Sequence, residues 1–164
     1  MSSEPLKSAI DLSIDCQDLA ACQRLARVLA GQLKAGQAVL LDGALGAGKT
    51  TFISMLCESL GIAQQASSPT YTISNLYDAP DFSIFHIDAY RMTGPKDFYL
   101  LGLDEYFDEA LLLIEWGQRV EQLFPQALRI FIDMPESGTE ARQFQVSAPH
   151  QSWASCLKIL EGEA

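Results

Sequence analysis

The sequence is poor in basic residues. It has 11 Lys and Arg residues against 21 Asp and Glu residues, which gives a formal net charge of −10 at pH 7. Proteins that bind nucleic acid directly hold its phosphates with clustered Lys and Arg. The composition therefore disfavours a protein that binds nucleic acid by itself. An acidic surface instead favours solubility, or binding to a basic partner protein.

Long apolar runs and paired cysteines are missing as well. No stretch approaches the roughly 18 apolar residues of a membrane-spanning helix, and residues 1 to 10 lack the apolar centre of a signal peptide. We therefore expect a cytoplasmic protein with no membrane contact. The cysteines show neither CxxC spacing nor a histidine at ligand spacing, so we interpret them as small buried residues in a reducing cytosol. They are Cys16, Cys22, Cys57 and Cys156.

The chain is long enough for one domain with its own hydrophobic core. It has 164 residues, of which 48% are apolar and 20% are charged. This is an ordinary composition for a globular protein. We expect residues 1 to 164 to form a single domain, with residues 1 to 12 as a flexible N-terminus.

Hydrophobic periodicity predicts alternating helices and strands. Helical spacing predicts a helix over residues 17 to 34, with Asp15 as its cap and Gly36 after its end, and another over residues 49 to 60. Strands are predicted in "QAVLLDG", "LLLIEW", "ALRIFIDM" and "RQFQVSA", and further helices in "GQRVEQLF" and "SWASCLKILEG". The turn "DAPD" predicts a hairpin between "YTISNLY" and "FSIFHIDAY". The order predicts an α/β domain with a mixed, mostly parallel central sheet, an antiparallel hairpin and flanking helices.

The strongest motif is "GALGAGKT", residues 43 to 50, which matches the phosphate-binding pattern G-x-x-x-x-G-K-[ST]. Its glycines allow backbone N–H groups to surround phosphate oxygens, and the helix that follows directs its positive end to the same anion. Lys49 can reach the β- and γ-phosphates, and the Thr50 hydroxyl can bind Mg²⁺. The motif predicts a nucleotide phosphate site in a P-loop domain, formed by Gly43, Leu45, Gly46, Ala47, Gly48, Lys49, Thr50 and Thr51.

An acidic residue is expected across the sheet from this loop. The apolar run "LLLIE" ends in Glu115, which is the form expected of a carboxylate that orients Mg²⁺ and water. The alternative is an ordinary surface acid at the end of a strand. Trp116, the next residue, either closes the site or packs against the fold.

Two further segments contain polar residues that a nucleotide site would use. In "SSPTYTI", Pro69 favours an extended conformation in which the Thr70 hydroxyl can sense Mg²⁺ or a γ-phosphate, and a plain strand entry is the alternative. In "FHIDAYRM", the side chains of His86, Asp88 and Tyr90 share one face of a strand. That face is either solvated or directed towards the nucleotide. In the second case Asp88 would orient Mg²⁺ or the attacking water.

Classes of nucleotide-binding protein differ in their other motifs. A small GTPase would carry D-x-x-G and N-K-x-D, and neither pattern occurs in this sequence. A small-molecule kinase stays open, although the arginines after the loop occur only at positions 91, 119, 129 and 142 and form no cluster for a lid. A nucleotide-gated binding module with little hydrolysis of its own is a third alternative.

Five segments together resemble the TsaE family, the P-loop ATPases of bacterial tRNA threonylcarbamoyladenosine synthesis. They are "GALGAGKTT", "SPTYTI", "HIDAYR", "GLDEYF" and "LLLIEW", and the resemblance extends over roughly residues 13 to 135. It implies an ATPase that uses ATP and Mg²⁺ and acts with TsaD-like and TsaB-like proteins. Its ATP hydrolysis would support repeated turnover of that complex. tRNA would be contacted only indirectly, through the partners.

The resemblance also implies roles for individual residues. Lys49 would hold phosphates, and Thr50 and Glu115 would place Mg²⁺. Thr70 would belong to a switch-like segment, and Asp88 to the catalytic neighbourhood.

The sequence departs from the family pattern in two places, which cover three positions. The family usually has Asp where this chain has Ala44, and its motif E-W-P-E is replaced here by Trp116 followed by Gly117 and Gln118. Phosphate binding needs neither residue, so we expect ATP binding to survive. The hydrolysis rate and the partner contacts are the properties that these departures would alter.

Overall fold

A computed structural model describes residues 10 to 62, 74 to 148 and 151 to 163. Seven strands and four α-helices occur within these ranges: β1 (Ile10–Cys16), α1 (Leu19–Ala30), β2 (Ala38–Asp42), α2 (Lys49–Ser59), β3 (Ser74–Asp78), β4 (Ser83–Asp88), α3 (Pro95–Tyr99), β5 (Ala110–Glu115), β6 (Leu128–Asp133), β7 (Arg142–Ala148) and α4 (Ala154–Glu163). Short 3₁₀ turns lie at Asp104–Tyr106, Gly117–Arg119, Glu121–Leu123 and Gln151–Trp153. None of these described helices is long and apolar enough to cross a membrane.

The strands form one mixed sheet in the order β1-β7-β6-β2-β5-β4-β3. The four central strands β6, β2, β5 and β4 are parallel to one another. At one edge β3 pairs antiparallel with β4, and at the other β7 lies antiparallel between β6 and β1. The predicted α/β class, with a mixed sheet that is parallel at its centre and carries an antiparallel hairpin, is confirmed.

Helices cover both faces of this sheet. In β2, Val39 and Leu41 pack into one hydrophobic core and Leu40 packs into the other, because successive side chains of a strand point to opposite faces. Helices α1, α2 and α4 supply the first core, whereas α3 and the turns after β5 supply the second. Since both faces are buried, the loops at the strand ends are where polar groups gather.

Helix α1 is shorter than the periodicity predicts. Its N-cap is Asp18, whose Oδ1 accepts a hydrogen bond from the Ala21 N–H at 2.8 Å. Asp15, the predicted cap, lies in β1 instead, so that prediction is wrong. The helix ends at Gly31 rather than just before Gly36, and a turn follows it.

Strand β1 is an element that the periodicity does not predict. It pairs along its whole length with β7, which lies near the other end of the chain. Residues 10 to 12 of the segment expected to be flexible belong to this strand, and residues 1 to 9 lie outside the described residues. Because this edge strand is stabilised by a partner far away in the sequence, its own residues show little of the local pattern from which a strand is predicted.

The segment "GQRVEQLF" also differs from its prediction as a helix. It forms two 3₁₀ turns, Gly117–Arg119 and Glu121–Leu123. The turn begins after Trp116, whose φ of 58° lies in the left-handed region that ends a regular strand abruptly. Gly117 then lies against Leu40, where a Cβ atom would come within 2.4 Å of the Leu40 Cβ. The chain therefore passes so close to β2 at this place that only glycine fits.

Candidate nucleotide-binding site

The loop between β2 and α2 has the backbone shape of a phosphate cradle. Gly43, Gly46 and Gly48 have φ angles of 145°, 81° and 109°, which side chains disfavour. A Cβ on Gly43 would lie 2.4 Å from the Ile132 carbonyl oxygen, so no larger residue fits there. A Cβ on Gly46 would meet nothing within 4 Å, so the space beside the loop is open. This is the geometry in which consecutive N–H groups can surround an anion.

Lys49 lies at the start of α2 with its ammonium group under this loop. The side chain is buried, and Nζ donates hydrogen bonds to the carbonyl oxygens of Gly43 at 2.7 Å and Ala44 at 3.0 Å. Burial lowers the pKa of Lys49, while the nearby carboxylate of Glu115 acts in the opposite direction. The loop carbonyls and the carboxylate thus compensate for the burial of a cation next to the cradle.

Thr50, the next residue of α2, is joined to the end of β5. Its hydroxyl donates to Glu115 Oε1 at 2.7 Å, and Glu115 Oε2 accepts from His86 Nε2 at 2.6 Å. Glu115 is only 3% exposed and His86 is fully buried. Both oxygens of the carboxylate are therefore held in fixed positions, one of them directly beside the P-loop threonine. Among the described residues, the other ring nitrogen of His86, Nδ1, has no hydrogen-bond partner.

Asp88 lies beside Glu115 because β4 and β5 are parallel and in register at their carboxyl ends. Its Oδ1 accepts a hydrogen bond from the Tyr90 N–H at 2.9 Å. Asp88, Glu115 and the P-loop line one cleft of about 240 Å³, together with Trp116. We call this the phosphate-side cleft; its lining is Leu45, Gly46, Gly48, Lys49, Thr50, Thr51, Asp88, Glu115 and Trp116.

The strand "FHIDAYRM" does not carry the solvated face that its alternation allows. Phe85, His86 and Ile87 are all buried, because β4 lies inside the sheet between β3 and β5. His86 is directed to Glu115, and Asp88 lines the phosphate-side cleft. Only after the strand ends does the chain become exposed, at Tyr90.

Trp116 covers Lys49 from the open side of the cleft. Lys49 Nζ lies 4.1 Å from the centroid of the indole ring, within the range of a cation–π interaction. The Tyr90 ring is 5.0 Å from the Trp116 ring, and the Arg119 guanidinium is 5.9 Å from the Tyr90 ring. Both interpretations of Trp116 describe it: the ring contacts the P-loop lysine and lines the cleft, and the side chain also packs against the second hydrophobic core.

A second cleft lies on the other side of the same loop. It has a cavity volume of about 70 Å³ and is mostly apolar, with Gly48 and Thr51 shared between the two clefts. We call it the base-side cleft; its lining is Leu19, Cys22, Ala47, Gly48, Thr51, Phe52, Met55, Ile132, Arg142 and Phe144. An elongated ligand with an anionic end and an apolar end could therefore contact both clefts across the loop.

Arg142 joins this cleft to the P-loop. Its Nε donates to the Ala47 carbonyl oxygen at 2.8 Å, and its Nη1 donates to the carbonyl oxygens of Thr139 and Ala141 at 2.7 and 2.8 Å. The guanidinium thus ties β7 to the loop and places a positive charge beside Gly48. Sequence reasoning missed this role, because Arg142 stands alone in the sequence, 95 residues from its partner.

The oxygen atoms gathered here suit Mg²⁺. The described residues contain no cluster of three or more His, Cys, Asp or Glu side chains able to hold a metal ion by themselves. Mg²⁺ bound with a nucleotide, however, takes only one or two protein ligands and completes its shell with water and phosphate oxygens. The Thr50 hydroxyl and the Glu115 carboxylate, already in contact, are hard oxygen donors of this kind.

The predicted site residues from the P-loop, β4 and β5 are brought together at one end of the sheet. Thr70 and the "SPT" motif lie outside the described residues. The departure at Gly117 has a packing reason, since any side chain there would meet Leu40. Gln118 is also engaged, because its N–H donates to Asp42 Oδ1 at 3.1 Å. Asp42 itself, which sequence reasoning did not consider, has a pKa raised by burial and by the charge of Glu121.

The chain matches a protein-family model, several curated relatives and a solved structure. The family model described as "Threonylcarbamoyl adenosine biosynthesis protein TsaE" matches residues 16–144. A Streptomyces coelicolor protein named tRNA threonylcarbamoyladenosine biosynthesis protein TsaE is 36% identical over 149 residues, covering 85% of this chain and 99% of its own length. A Bacillus subtilis protein of the same name is 38% identical over 125 residues, 76% of this chain and 77% of its own. The crystal structure of Bacillus subtilis YdiB superimposes with a TM-score of 0.76 at 29% identity, covering 96% of this chain and 99% of that one.

Proposed function

Because this chain belongs to the TsaE family of threonylcarbamoyladenosine biosynthesis proteins, we propose that it is an Mg²⁺-dependent ATPase that serves this tRNA modification. Its hydrolysis of ATP would support repeated turnover of a cytoplasmic complex of TsaD-like and TsaB-like proteins. That complex would modify the adenosine next to the anticodon. This chain would contact tRNA only through the complex.

The observation that carries the proposal is the hydrogen bond between Thr50 and Glu115 beside the glycine cradle. P-loop NTPases bind Mg²⁺ through the loop's Ser or Thr and an acidic residue at the end of a neighbouring strand. Here the two side chains are 2.7 Å apart, although 65 residues separate them in the sequence. A glycine-rich turn with no ligand would not need a buried carboxylate in that position.

The proposed reaction is attack of water on the γ-phosphate. In such reactions catalysis comes from positioning and charge neutralisation rather than covalent chemistry. Lys49 and the backbone N–H groups of residues 46 to 50 would hold the phosphate oxygens, with Lys49 exchanging its loop carbonyls for them. Bound Mg²⁺ would add charge neutralisation at Thr50 and Glu115. Asp88, at the same edge of the sheet, would orient the attacking water, and Thr70 is proposed to belong to a switch-like segment.

We further propose that the base-side cleft holds the adenine ring. The cleft is apolar, it adjoins Gly48 and Thr51 of the loop, and Phe52 and Phe144 lie in its wall. Flat aromatic ligands bind in apolar clefts of this type. In this arrangement the triphosphate would pass over the loop into the phosphate-side cleft. Arg142, beside Gly48, would contribute positive charge near the middle of the nucleotide.

Following the γ-phosphate separates this proposal from the kinase alternative. ATP labelled at its γ-phosphate should yield inorganic phosphate, and the yield should require Mg²⁺. Transfer of the label to an added metabolite would overturn the ATPase in favour of a kinase. Negligible turnover even with the partner complex would favour the nucleotide-gated binding module instead.

Two substitutions test the assigned residues. Lys49→Ala should abolish ATP binding, because it removes the buried cation of the loop. Glu115→Ala should leave most binding but slow hydrolysis by about 10² to 10³, the usual cost of losing one group that stabilises a transition state electrostatically. Equilibrium dialysis and phosphate release measure the two effects. Lys158→Ala, on an exposed position of α4, is the matched control and should change neither. Normal turnover in both test variants would contradict the assignment.

A further inference from the structure

His86 and Glu115 form a buried pair next to the helix that follows the P-loop. His86 Nε2 lies 2.6 Å from Glu115 Oε2, His86 is fully buried and Glu115 is 3% exposed. In the register of the parallel strands β4 and β5, His86 lies opposite Leu113, so Glu115 is two residues further along the neighbouring strand and on the same face. Helix α2 covers that face and brings Thr50 to the other carboxylate oxygen.

Packing alone does not explain a histidine at position 86. Ile84, two residues earlier on the same strand and face, is an apolar side chain that is also fully buried. Among the described residues, His86 Nδ1 has no hydrogen-bond partner. A buried ring nitrogen without a partner costs stability, whether it would donate or accept. An aliphatic residue would fill this position without that cost, so the reason for the histidine lies at its other nitrogen, which contacts Glu115.

The hydrogen bonds to Glu115 divide its two oxygens between different partners. Oε2 accepts from His86 and Oε1 accepts from the Thr50 hydroxyl. Glu115 lines the phosphate-side cleft, although its side chain is only 5% exposed. With Oε2 held by the imidazole, a cation bound at Thr50 would meet Oε1 alone. The carboxylate therefore offers one oxygen to the cleft rather than two.

The number of oxygens offered affects the choice of divalent cation. Mg²⁺ is small, requires a nearly octahedral shell and keeps several waters, whereas Ca²⁺ takes about 6 to 8 oxygens and often binds both oxygens of one carboxylate. A carboxylate limited to one oxygen suits Mg²⁺ and withholds the second contact that would favour Ca²⁺. Residues that hydrogen-bond to a metal ligand commonly change metal affinity or activity by about 10- to 100-fold.

We propose that His86 is a positioning residue that holds Glu115 Oε2, leaves Oε1 to the cation at Thr50, and thereby makes the site selective for Mg²⁺ over Ca²⁺. The inference rests on the proposed function, since it requires a divalent cation that binds with ATP at Thr50 and Glu115. His86 itself is not part of the lining of the phosphate-side cleft. It therefore acts through Glu115 and not through contact with the nucleotide.

Two substitutions at position 86 and one control separate the hydrogen bond from packing. His86→Leu fills the space without a donor. His86→Gln brings an amide N–H group to the neighbourhood of Nε2 without the ring, and is the conservative variant. Ile84→Val removes one buried methyl group from the same strand and face but leaves the pair intact, so it is the matched control.

Equilibrium dialysis with a non-hydrolysable ATP analogue tests the selectivity, in excess Mg²⁺, in excess Ca²⁺ and in EDTA. We expect His86→Leu to bind the analogue as the parent does in EDTA and in Mg²⁺, but more tightly in Ca²⁺. The ratio of Mg²⁺ to Ca²⁺ affinity should thus fall by about tenfold, the lower end of the range for such partners. His86→Gln and Ile84→Val should keep the parent ratio. An unchanged ratio in His86→Leu, equal weakening in EDTA, or a glutamine variant that behaves like leucine would each overturn the positioning role.

Hydrolysis of Mg²⁺-ATP gives a second readout of the same role. We expect His86→Leu to lower kcat by about 10- to 100-fold, with little change in the KM for ATP. Because His86 acts through Glu115, adding His86→Leu to Glu115→Ala should slow phosphate release no further. A further loss in the double variant would assign His86 a role independent of Glu115 and contradict the inference.

Folding and the proposed function remain separable from this role. Where His86→Leu does not fold, His86→Asn replaces it, because its amide is one carbon shorter than that of glutamine and falls short of Oε2. The same loss of selectivity is expected from it. A parent chain whose affinity for the analogue does not respond to Mg²⁺ would overturn the proposed function, and the positioning role with it. A parent chain that responds, with variants at position 86 that keep its ratio, would overturn the positioning role alone.

Discussion

At the scale of single residues, the site is organised around buried charges that have partners. Apart from cysteine, the ionisable side chains among the buried residues of the described ranges are Lys49, Glu115 and His86, and all three lie at the same end of the sheet. Ionisable groups are rarely buried unless they are paired, and such groups concentrate at functional sites. The sequence identified Lys49 and Glu115 from their motifs. It placed His86 on the right face of its strand but did not show that the residue is buried against Glu115.

Burial of the Asp42 carboxyl group costs stability, and the pH dependence of stability measures that cost. Its folded pKa is raised, first by burial, so the folded chain binds the Asp42 proton more tightly than the unfolded chain does. Stability from this residue is therefore lost as pH rises from the unfolded pKa, about 3.9, through the folded one. Asp42→Asn keeps an oxygen acceptor for the Gln118 N–H and removes the charge.

We expect Asp42→Asn to be more stable than the parent chain at pH 7, with the difference shrinking as pH falls towards about 3.5. Urea unfolding at a series of pH values measures it. Asp97→Asn is the control with the opposite sign: hydrogen bonds from Thr93 lower the pKa of Asp97. That variant should lose stability relative to the parent as pH rises. A constant difference for Asp42→Asn at all pH values would contradict the assigned cause.

At the scale of elements, the turn after β5 decides how the site is closed. Trp116 adopts a left-handed conformation and Gly117 lies against β2, which together direct the indole over Lys49. The motif "IEW" indicated that an acid and an aromatic follow the strand. Whether the aromatic faces the site depends on the turn, and the turn depends on a contact with Leu40 from a distant strand.

Gly117→Ala tests this turn. Its Cβ would lie 2.4 Å from the Leu40 Cβ and 3.0 Å from the Leu40 Cα, a clash that backbone atoms cannot relieve cheaply. We expect a loss of about 1 to 3 kcal/mol of stability, as for other overpacked cores, together with weaker Mg²⁺-ATP hydrolysis. Gly162→Ala in α4 is the control, since its Cβ would meet nothing within 4 Å. The control should be neutral or stabilise the chain by about 0.5 to 1 kcal/mol. Equal stability of the two variants would contradict the packing explanation.

At the scale of the whole molecule, the net charge and the exposed apolar side chains determine which partner surfaces this chain can bind. The chain carries a formal charge of −10, so a TsaE-like subunit with this surface would dock on a basic face of the proposed complex. Leu45 at the tip of the P-loop is 86% exposed and Tyr90 beside Trp116 is 52% exposed. Apolar side chains at the open mouth of a cleft are common where a partner binds.

Binding to the TsaD–TsaB pair should therefore depend on salt. We expect the association rate to fall severalfold or more between about 50 and 200 mM salt, because exposed charges more than about 10 Å apart are screened in this range. Surface plasmon resonance at several salt concentrations measures it. A pull-down from cell extract, with and without ATP, should recover a TsaD-like protein. Association that is insensitive to ionic strength would contradict an electrostatic interface.

Sequence alone determined the parts of this protein that depend on local pattern. The P-loop, the hairpin, the buried strands and the family motifs each lie within a short segment, where spacing and residue type reflect the backbone directly. Most strands and both helices that flank the P-loop were predicted for this reason. Strand β1 was not, because its stability comes from pairing with β7 at the far end of the chain.

The tertiary structure decided which side chains meet. Parallel register brings Asp88 beside Glu115, and packing of α2 on the sheet brings Thr50 to the same carboxylate. Arg142 reaches the loop in the same way. Such contacts depend on distances between elements, which are fixed only when both faces of the sheet are buried and the cores close. A pattern within one segment contains no record of those distances, so the sequence could propose which residues form the site but could not give their arrangement.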